Sequence, residues 1–352
     1  MGVALVTGSS GLIGSQTVES LVSLGFNVVG VDNDMRSFFF GKESSTKWNQ
    51  ERLSVKFPKH FIAHDVDIRH YEALEGLFKQ QRFDLVVHAA AQPSHDWAAQ
   101  DPITDFSINA VGTLYLLELT RKFSPNSSFV LMSTNKVYGD APNTLPLIEN
   151  EYRWDLPEDS LFFKGINENF QIDHSLHSVF GASKVSADIM TQEYGRYFGM
   201  NTLILRGGCL TGPMHSASQL HGFLSHLVKS YVKNKTYTIF GHKGKQVRDN
   251  IHARDVVTLI LEFHKSPTPA LVLNIGGGRE NSISILEAIN KLHQISNRDK
   301  FNVVYDEKAR LGDHIWYISN LSKAKNLYPN WELTYGIDDL INEMYEMAMI
   351  RD

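Results

Sequence analysis

The chain has 352 residues, 42% hydrophobic and 21% charged, with a formal net charge of -5. That is long enough to bury a substantial core in one large domain or two joined ones, while the mild acidity and the lack of any Lys/Arg run exclude nucleic acid and an anionic membrane surface as partners. No stretch approaches the roughly 18 uninterrupted apolar residues of a membrane span, and Cys209, the only cysteine, excludes an intramolecular disulfide or a thiolate zinc site within one chain; a metal-free cytoplasmic protein is expected.

The first 135 residues alternate short β-rich runs with helical patterns. VALVTG is followed by a helix over 14–24, the strand NVVGVD, HFIAHDV, the helical EALEGLFKQ, FDLVVHAAA, an amphipathic segment over 106–122 and the strand SFVLMST. This order implies βαβ units on a parallel sheet. A polar insert over 37–57 interrupts it, and its aromatic residues are expected to be buried. From Tyr138 to about Ser178 runs a polar stretch with Pro142, Pro146 and Pro157, too long for a plain connector and more consistent with a functional loop or lid. A helix over 180–198 and the strand NTLILRG follow. Beyond Gly212 the elements are shorter and mixed: the strand YTIFG, a turn over HKGKQVRD, the strand LVLNIG, a helix over 283–293, FNVVYD and a last helix over 336–349. The fold expected is α/β, a Rossmann-type doubly wound parallel sheet with a smaller mixed α/β C-terminal domain. Residues 1–205, with a return segment near 247–275, form the first domain, and 206–352 a discontinuous second one.

Gly8, Gly11 and Gly14 lie directly after the first strand and open a helix, in the spacing Gly-x-x-Gly-x-x-Gly. Glycines there serve a tight turn, close backbone approach to a pyrophosphate, and helix–strand contact, with the anion at the helix N-terminus. The second strand ends in Asp32, eighteen residues beyond Gly14, where a carboxylate accepts hydrogen bonds from the adenosine ribose. Asp32 repels a 2′-phosphate and so favours NAD over NADP; Arg36 is the one nearby cation that would offset this.

With this spacing the chain resembles the extended short-chain dehydrogenase/reductases, and the likeness continues through Asp67-Ile68, His88 to Ala91, Asn109, the octet Ser133 to Asp140, Lys184, Arg248-Asp249, Asn274 to Gly277 and Arg310 to Asp313. The resemblance implies tightly bound NAD, held by Ser10, Leu12 and Ile13 in the turn, by Asn33, Asp67, Ile68, Ala89, Ala90, Ala91, Gln92 and Asn109, and by Lys184 at the nicotinamide ribose. It also implies a nucleotide-sugar substrate and a homodimer or homotetramer built on the 106–122 and 180–198 helices.

In such enzymes a hydride leaves a sugar carbon for the nicotinamide while a tyrosine, in a Tyr-x-x-x-Lys pair, accepts the alcohol proton. Position 180, one helical turn before Lys184, is Phe180, which has no ionisable proton. A different base, an inactivated variant and a binding protein without catalysis all remain open, with His95, Asp96, Lys136 and Cys209 as substitute bases to test. Thr134 matches the residue that hydrogen-bonds the reacting oxygen. Asn135 and Lys136 stand where the nucleotide-sugar dehydratases carry an Asp-Glu pair, which places dehydration behind epimerisation. The octet STNKVYGD and the GKQVRD turn most resemble the CDP-paratose 2-epimerase (tyvelose epimerase) subgroup. By that likeness Arg248 and Arg310 clamp the substrate diphosphate, with Ser94, His95, Cys209, Gln246, Asn274 and Asp313 as further substrate contacts.

Overall fold

The computed structural model describes residues 2–216, 222–298, 300–309 and 312–350. Runs rich in Val, Leu and Ile that are buried on both faces become parallel strands, because helical crossovers cover each side of such a sheet. In chain order these elements are β1 Val3–Thr7, α1 Leu12–Ser23, β2 Asn27–Val31, α2 Met35–Phe40, α3 Lys47–Lys56, β3 Phe61–His64, α4 Tyr71–Gln80, β4 Leu85–His88, α5 His95–Gln100, α6 Pro102–Phe106, α7 Gly112–Phe123 and β5 Ser128–Thr134. A hairpin of β6 Ile148–Glu149 and β7 Trp154–Asp155 comes next. It precedes α8 Ser178–Phe198, β8 Asn201–Gly207, β9 Cys209–Thr211, α9 Phe223–Val232, β10 Tyr237–Phe240, β11 Val247–His252, α10 Ala253–Lys265, β12 Leu271–Ile275, β13 Ser282–Ser284 and α11 Ile285–Ser296. The last elements are β14 Val303–Asp306, β15 Trp316–Tyr317, α12 Ser322–Leu327 and α13 Ile337–Ile350.

The main sheet has seven strands in the order β12-β8-β5-β4-β1-β2-β3, with β3, β2, β1, β4 and β5 paired in parallel. The chain winds outward in one direction from β1 to β3, then crosses back to β4. The reversal puts the topological switch point at the C-terminal ends of β1 and β4, where doubly wound sheets bind their ligands. The Rossmann-type reading of the sequence therefore holds.

Two compact units divide the chain. The first comprises 1–137, 179–206 and 256–273, around a core that includes Leu5, Val86, Leu116, Phe129 and Ile204. The second comprises 138–178, 207–255 and 274–352, and its core includes Leu227, Tyr231, Ile239, Ile289 and Leu340. The polar stretch 138–178 thus clusters with the second unit, whereas the sequence reading places it in 1–205; the returning segment, 256–273, falls within the region near 247–275.

Three local expectations differ from the structure. The insert 37–57 is helical, and Phe38 is 68% exposed, because α2 is a short helix covered on one side only; Phe39 packs edge-on to Trp97 at 4.6 Å between centroids. The turn over HKGKQVRD ends at Gly244, and its VRD portion begins β11, a wholly buried strand whose polar residues disguise it as a loop. The α11 helix starts two residues later than expected, where Ser284 and Glu287 form a reciprocal capping box at 3.1 and 2.8 Å.

Within the first unit, Arg206 and Asp188 form a buried ion pair, Nη2 to Oδ1 at 3.0 Å and Nε to Oδ2 at 3.1 Å. Ser133 and Gln192 donate to the same carboxylate at 2.7 Å each, so α8, β5 and β8 are tied at one point. Breaking such a pair leaves an uncompensated buried charge. Arg206→Ala is expected to lower unfolding stability by about 3–5 kcal/mol, read as an earlier urea transition; a change under about 1 kcal/mol would show that water or neighbours compensate the carboxylate.

Candidate active site

At the end of β1 the chain turns through Gly8, whose φ of +65° is the left-handed region that favours glycine. Gly8 donates its N–H to Val31 O at 2.8 Å and accepts one from Gly11 at 3.0 Å. A Cβ on Gly8 would stand 2.7 Å from Ala90 N, and one on Gly14 would stand 2.0 Å from Gly8 O. Gly14 therefore lets α1 begin against the strand end, and Gly8 lets β1 and the segment after β4 approach each other. Gly11 is the N-cap of α1; it provides no side-chain cap, and a Cβ there would meet only Gly8 O, at 3.3 Å. An uncapped N-terminus with a bare backbone beside it suits a pyrophosphate, whose oxygens accept the N–H groups left without partners at the start of a helix. Leu12 and Ile13 form its first turn.

Asp32, just past β2, accepts from the backbone N–H of Ser10 and of Asp34, each at 2.9 Å. Burial pushes its carboxyl above the ordinary range, although these two donors pull the other way. The carboxylate thus faces the glycine turn directly, as a ribose acceptor would. Asn33 follows it, half-buried. Arg36 stacks over Phe40 at 4.9 Å, and burial lowers its pKa to about 10. Asp67 is drawn to Arg69, with Oδ2 to Nη2 at 2.6 Å. Burial raises the Asp67 carboxyl, but the hydrogen bonds from Arg69 outweigh this and hold it below the usual value. Ile68 is 5% exposed and packs under Gly112, so its main contact is the core. Ala89, Ala90 and Ala91 are half-buried after β4.

Lys184, on α8, is buried and donates from Nζ to Met132 O at 2.8 Å. Burial lowers its pKa to about 8, against the opposing pull of Asp188 and Asp105. Two residues beyond Met132, Thr134 ends β5; its Oγ1 accepts the Lys136 N–H at 3.2 Å and donates to Asn135 Oδ1 at 3.4 Å. Phe180 is 6% exposed, and the His95 ring lies against it edge-on, 4.9 Å between centroids. Asp96 is exposed on the same short helix as His95. Ser94 caps that helix by accepting the Trp97 N–H at 3.2 Å.

Sequence reasoning missed Asp105 in this region, and it placed His88 only at a strand end of the family pattern. Asp105 is fully buried; it accepts from Gln92 Nε2 at 2.7 Å and from Asn109 at 3.0 Å, and burial raises its carboxyl. The signal was its spacing of four residues before Asn109, which puts both on one helical face. His88 lies between Thr7 and Thr113 at 2.7 and 3.0 Å, and burial depresses its pKa to about 3; the imidazole is neutral and structural.

In the second unit, Arg248 is buried on β11, with Nη2 on Asp313 Oδ1 at 2.7 Å. Asn274 is held at both ends of its amide: its Oδ1 accepts from Tyr138 Oη at 2.7 Å and its Nδ2 donates to Ile166 O at 2.8 Å. Gln246 Nε2 donates to Phe240 O at 3.2 Å. Cys209 is half-buried in β9, which pairs with β11. Arg310 lies outside the described residues.

A family model described as NAD dependent epimerase/dehydratase matches residues 4–276. CDP-paratose 2-epimerase of Salmonella typhi is 30% identical over 97% of this chain and 98% of its own. A putative UDP-glucose 4-epimerase of Methanocaldococcus jannaschii is also 30% identical, over 97% of each chain. Among solved structures, UDP-glucose 4-epimerase of Thermotoga maritima with UDP-glucose superposes with a TM-score of 0.77 at 26% identity, over 99% of both chains.

The depressed pKa of Lys184 has a thermodynamic consequence. Between its folded value of about 8 and its ordinary value of 10.5, the unfolded chain holds a proton that the folded chain has released, so this group makes stability rise with pH across that window. The stability of the wild type relative to Lys184→Met is therefore expected to be flat below pH 8 and to increase from there toward about 10.5, measured by urea denaturation at stepped pH. A flat difference across the window would show that the ammonium stays charged when buried.

Proposed function

The chain belongs to the NAD dependent epimerase/dehydratase family, and on that premise we propose that it is a nucleotide-sugar epimerase whose substrate of first choice is CDP-paratose. NAD is the cofactor of this family, and when bound it supplies a reversible hydride acceptor at its nicotinamide. The observation that carries the reading is the combination, in one unit, of an open glycine turn with Asp32 behind it and a buried Lys184 beside the end of β5.

In the proposed assignment, Gly8, Ser10, Gly11, Leu12, Ile13 and Gly14 hold the pyrophosphate and Asp32 the adenosine ribose. Ser10 already spends its N–H on Asp32, which fixes the carboxylate. The Lys184 ammonium orients the nicotinamide ribose, and Thr134 Oγ1 donates to the reacting sugar oxygen. Oxidation at one sugar carbon, turning of the keto-sugar and return of the hydride to the other face invert that centre with no net redox change. Asn135 and Lys136 supply neither carboxylate of a dehydrating pair, which supports epimerisation over elimination. The second unit takes the nucleotide half, with Arg248 trading part of its bond to Asp313 for the diphosphate. Val179, Ile189 and Met190, each 40% exposed on α8, support a homodimer through that helix. Phe180 supports a second reading, a nucleotide-sugar-binding protein that has lost its chemistry.

One experiment separates the two. Incubation with CDP-, UDP- and GDP-sugars, each deuterated at the candidate carbons, is expected to yield an epimer that keeps its deuterium, because the hydride that leaves is the one that returns. The absence of an epimer from every sugar, with NAD still bound, would overturn the enzyme reading. Asp32→Ala is expected to weaken NAD binding at least tenfold and NADP binding much less, since the carboxylate both accepts from the ribose and repels a 2′-phosphate; equal losses for the two would remove Asp32 from the ribose site.

A further inference from the structure

Resting on the epimerase reading, we propose that His95 is the proton acceptor for the substrate alcohol, in place of the tyrosine that the family pattern assigns to position 180. Phe180 cannot accept a proton, and the side chain packed on its ring is an imidazole: the centroids are 4.9 Å apart and the planes meet at 61°. An ionisable ring thus borders the place of the missing phenol. Histidine also exchanges protons near neutral pH, where a general base works best.

The imidazole's placement is built into the unit. Gln92 is fully buried, and its side chain clamps the backbone of Ser94: Nε2 donates to Ser94 O at 2.8 Å, and Oε1 accepts the Ser94 N–H. Asp105 holds Gln92 Nε2 from the far side at 2.7 Å. The Ser94 hydroxyl caps α5, whose first residue is His95. Asn109 reaches both halves: its Oδ1 accepts the Gln92 N–H at 3.0 Å, and its Nδ2 lies 3.1 Å from Ser183 Oγ. Ser183 in turn donates to Phe180 O at 2.9 Å. One buried polar network therefore sets the backbone carrying the imidazole and the backbone carrying Phe180. Buried amides and a buried carboxylate are costly when left unpaired, so the network resists any shift of the loop, as the support of a reacting group must.

In the step itself the substrate O–H bond breaks and its proton passes to an imidazole nitrogen, giving imidazolium. The carbinol C–H bond breaks as its electron pair leaves with hydrogen for the nicotinamide cofactor, and a C=O bond forms. On return the imidazolium gives the proton back to the oxygen, and the base is regenerated.

The test uses the full chain with NAD and the nucleotide-sugar that the wild type turns over. His95→Ala is expected to lower kcat by about 10²- to 10⁴-fold while NAD and nucleotide-sugar binding, measured by calorimetry, stay within threefold. Imidazole added to the medium is expected to restore part of the rate. So is Phe180→Tyr placed in the His95→Ala background, because a phenol there supplies the missing acceptor next to Lys184; a purely structural role for His95 gives no rescue by imidazole. His95→Asn guards against misfolding and is expected to match the Ala variant in rate. A His95→Ala enzyme within threefold of the wild type overturns the proposal alone. A wild type silent on every nucleotide-sugar overturns the epimerase reading and this proposal with it.

Discussion

The first unit depends on one close approach. The carbonyl of Gly8 lies where a Cβ on Gly14 would be, and the backbone of Ala89 and Ala90 lies where a Cβ on Gly8 would be. Three segments, the ends of β1 and β4 and the start of α1, are thereby brought to backbone contact at the sheet's switch point. Any side chain at either glycine forces them apart by more than packing elsewhere can absorb, since interiors are close-packed and yield little. The same approach leaves the first turn of α1 uncapped at Gly11. The residues that make the fold close are thus the residues proposed to hold the pyrophosphate, with no separate device needed for binding.

A second layer of order is polar. Asp188 gathers Arg206, Ser133 and Gln192, and Asp105 gathers Gln92 and Asn109. Both carboxylates are buried; Asp188 joins β5, α8 and β8, and Asp105 joins the loop after β4 to the start of α5 and the helix that carries Asn109, so each makes the relative position of its elements specific where apolar packing alone would tolerate sliding. In the second unit Asp249 does the same. It is fully buried, accepts N–H groups from Gly278 and Ser319 at 3.1 and 2.9 Å, and burial raises its pKa to about 6. A Cβ on Gly276 would stand 2.1 Å from that carboxylate, which explains this glycine after β12 as room for the Asp249 side chain.

What the sequence made legible was local and periodic. The βαβ alternation, the glycine turn and Asp32 are all read within a few dozen residues, because strand period, turn chemistry and the step from Gly14 to the end of β2 are short-range. The exposed face of α2 and the polar strand β11 were hidden, since burial of Phe38 or Asp249 is decided by partners far along the chain. The Asp105 network was hidden for a different reason: Gln92, Ser94 and Asn109 stood out singly, but what joins them is a nearby carboxylate in a helix the pattern did not single out. Asn274, whose motif suggested a ligand contact, is fixed in place by Tyr138 and Ile166, one hydrogen bond to each end of its amide.

The contrast between Phe180 and Lys184 carries the functional argument furthest. A lysine lowered to about pH 8 by burial is a poor structural choice: an apolar chain of similar length would fill the space without desolvating a charge, and the Met132 carbonyl gains from it a single hydrogen bond. Arg206 differs, because its fork meets a carboxylate and the two charges cancel. Lys184 instead spends its hydrogen bond on a neutral carbonyl, and its ammonium is held beside the end of β5, two residues from Thr134. A cation kept at that cost makes physical sense where an electron-rich group arrives beside it. In the proposed assignment, the phenylalanine one turn away changes which atom receives the proton, while the residues assigned to the cofactor are unchanged.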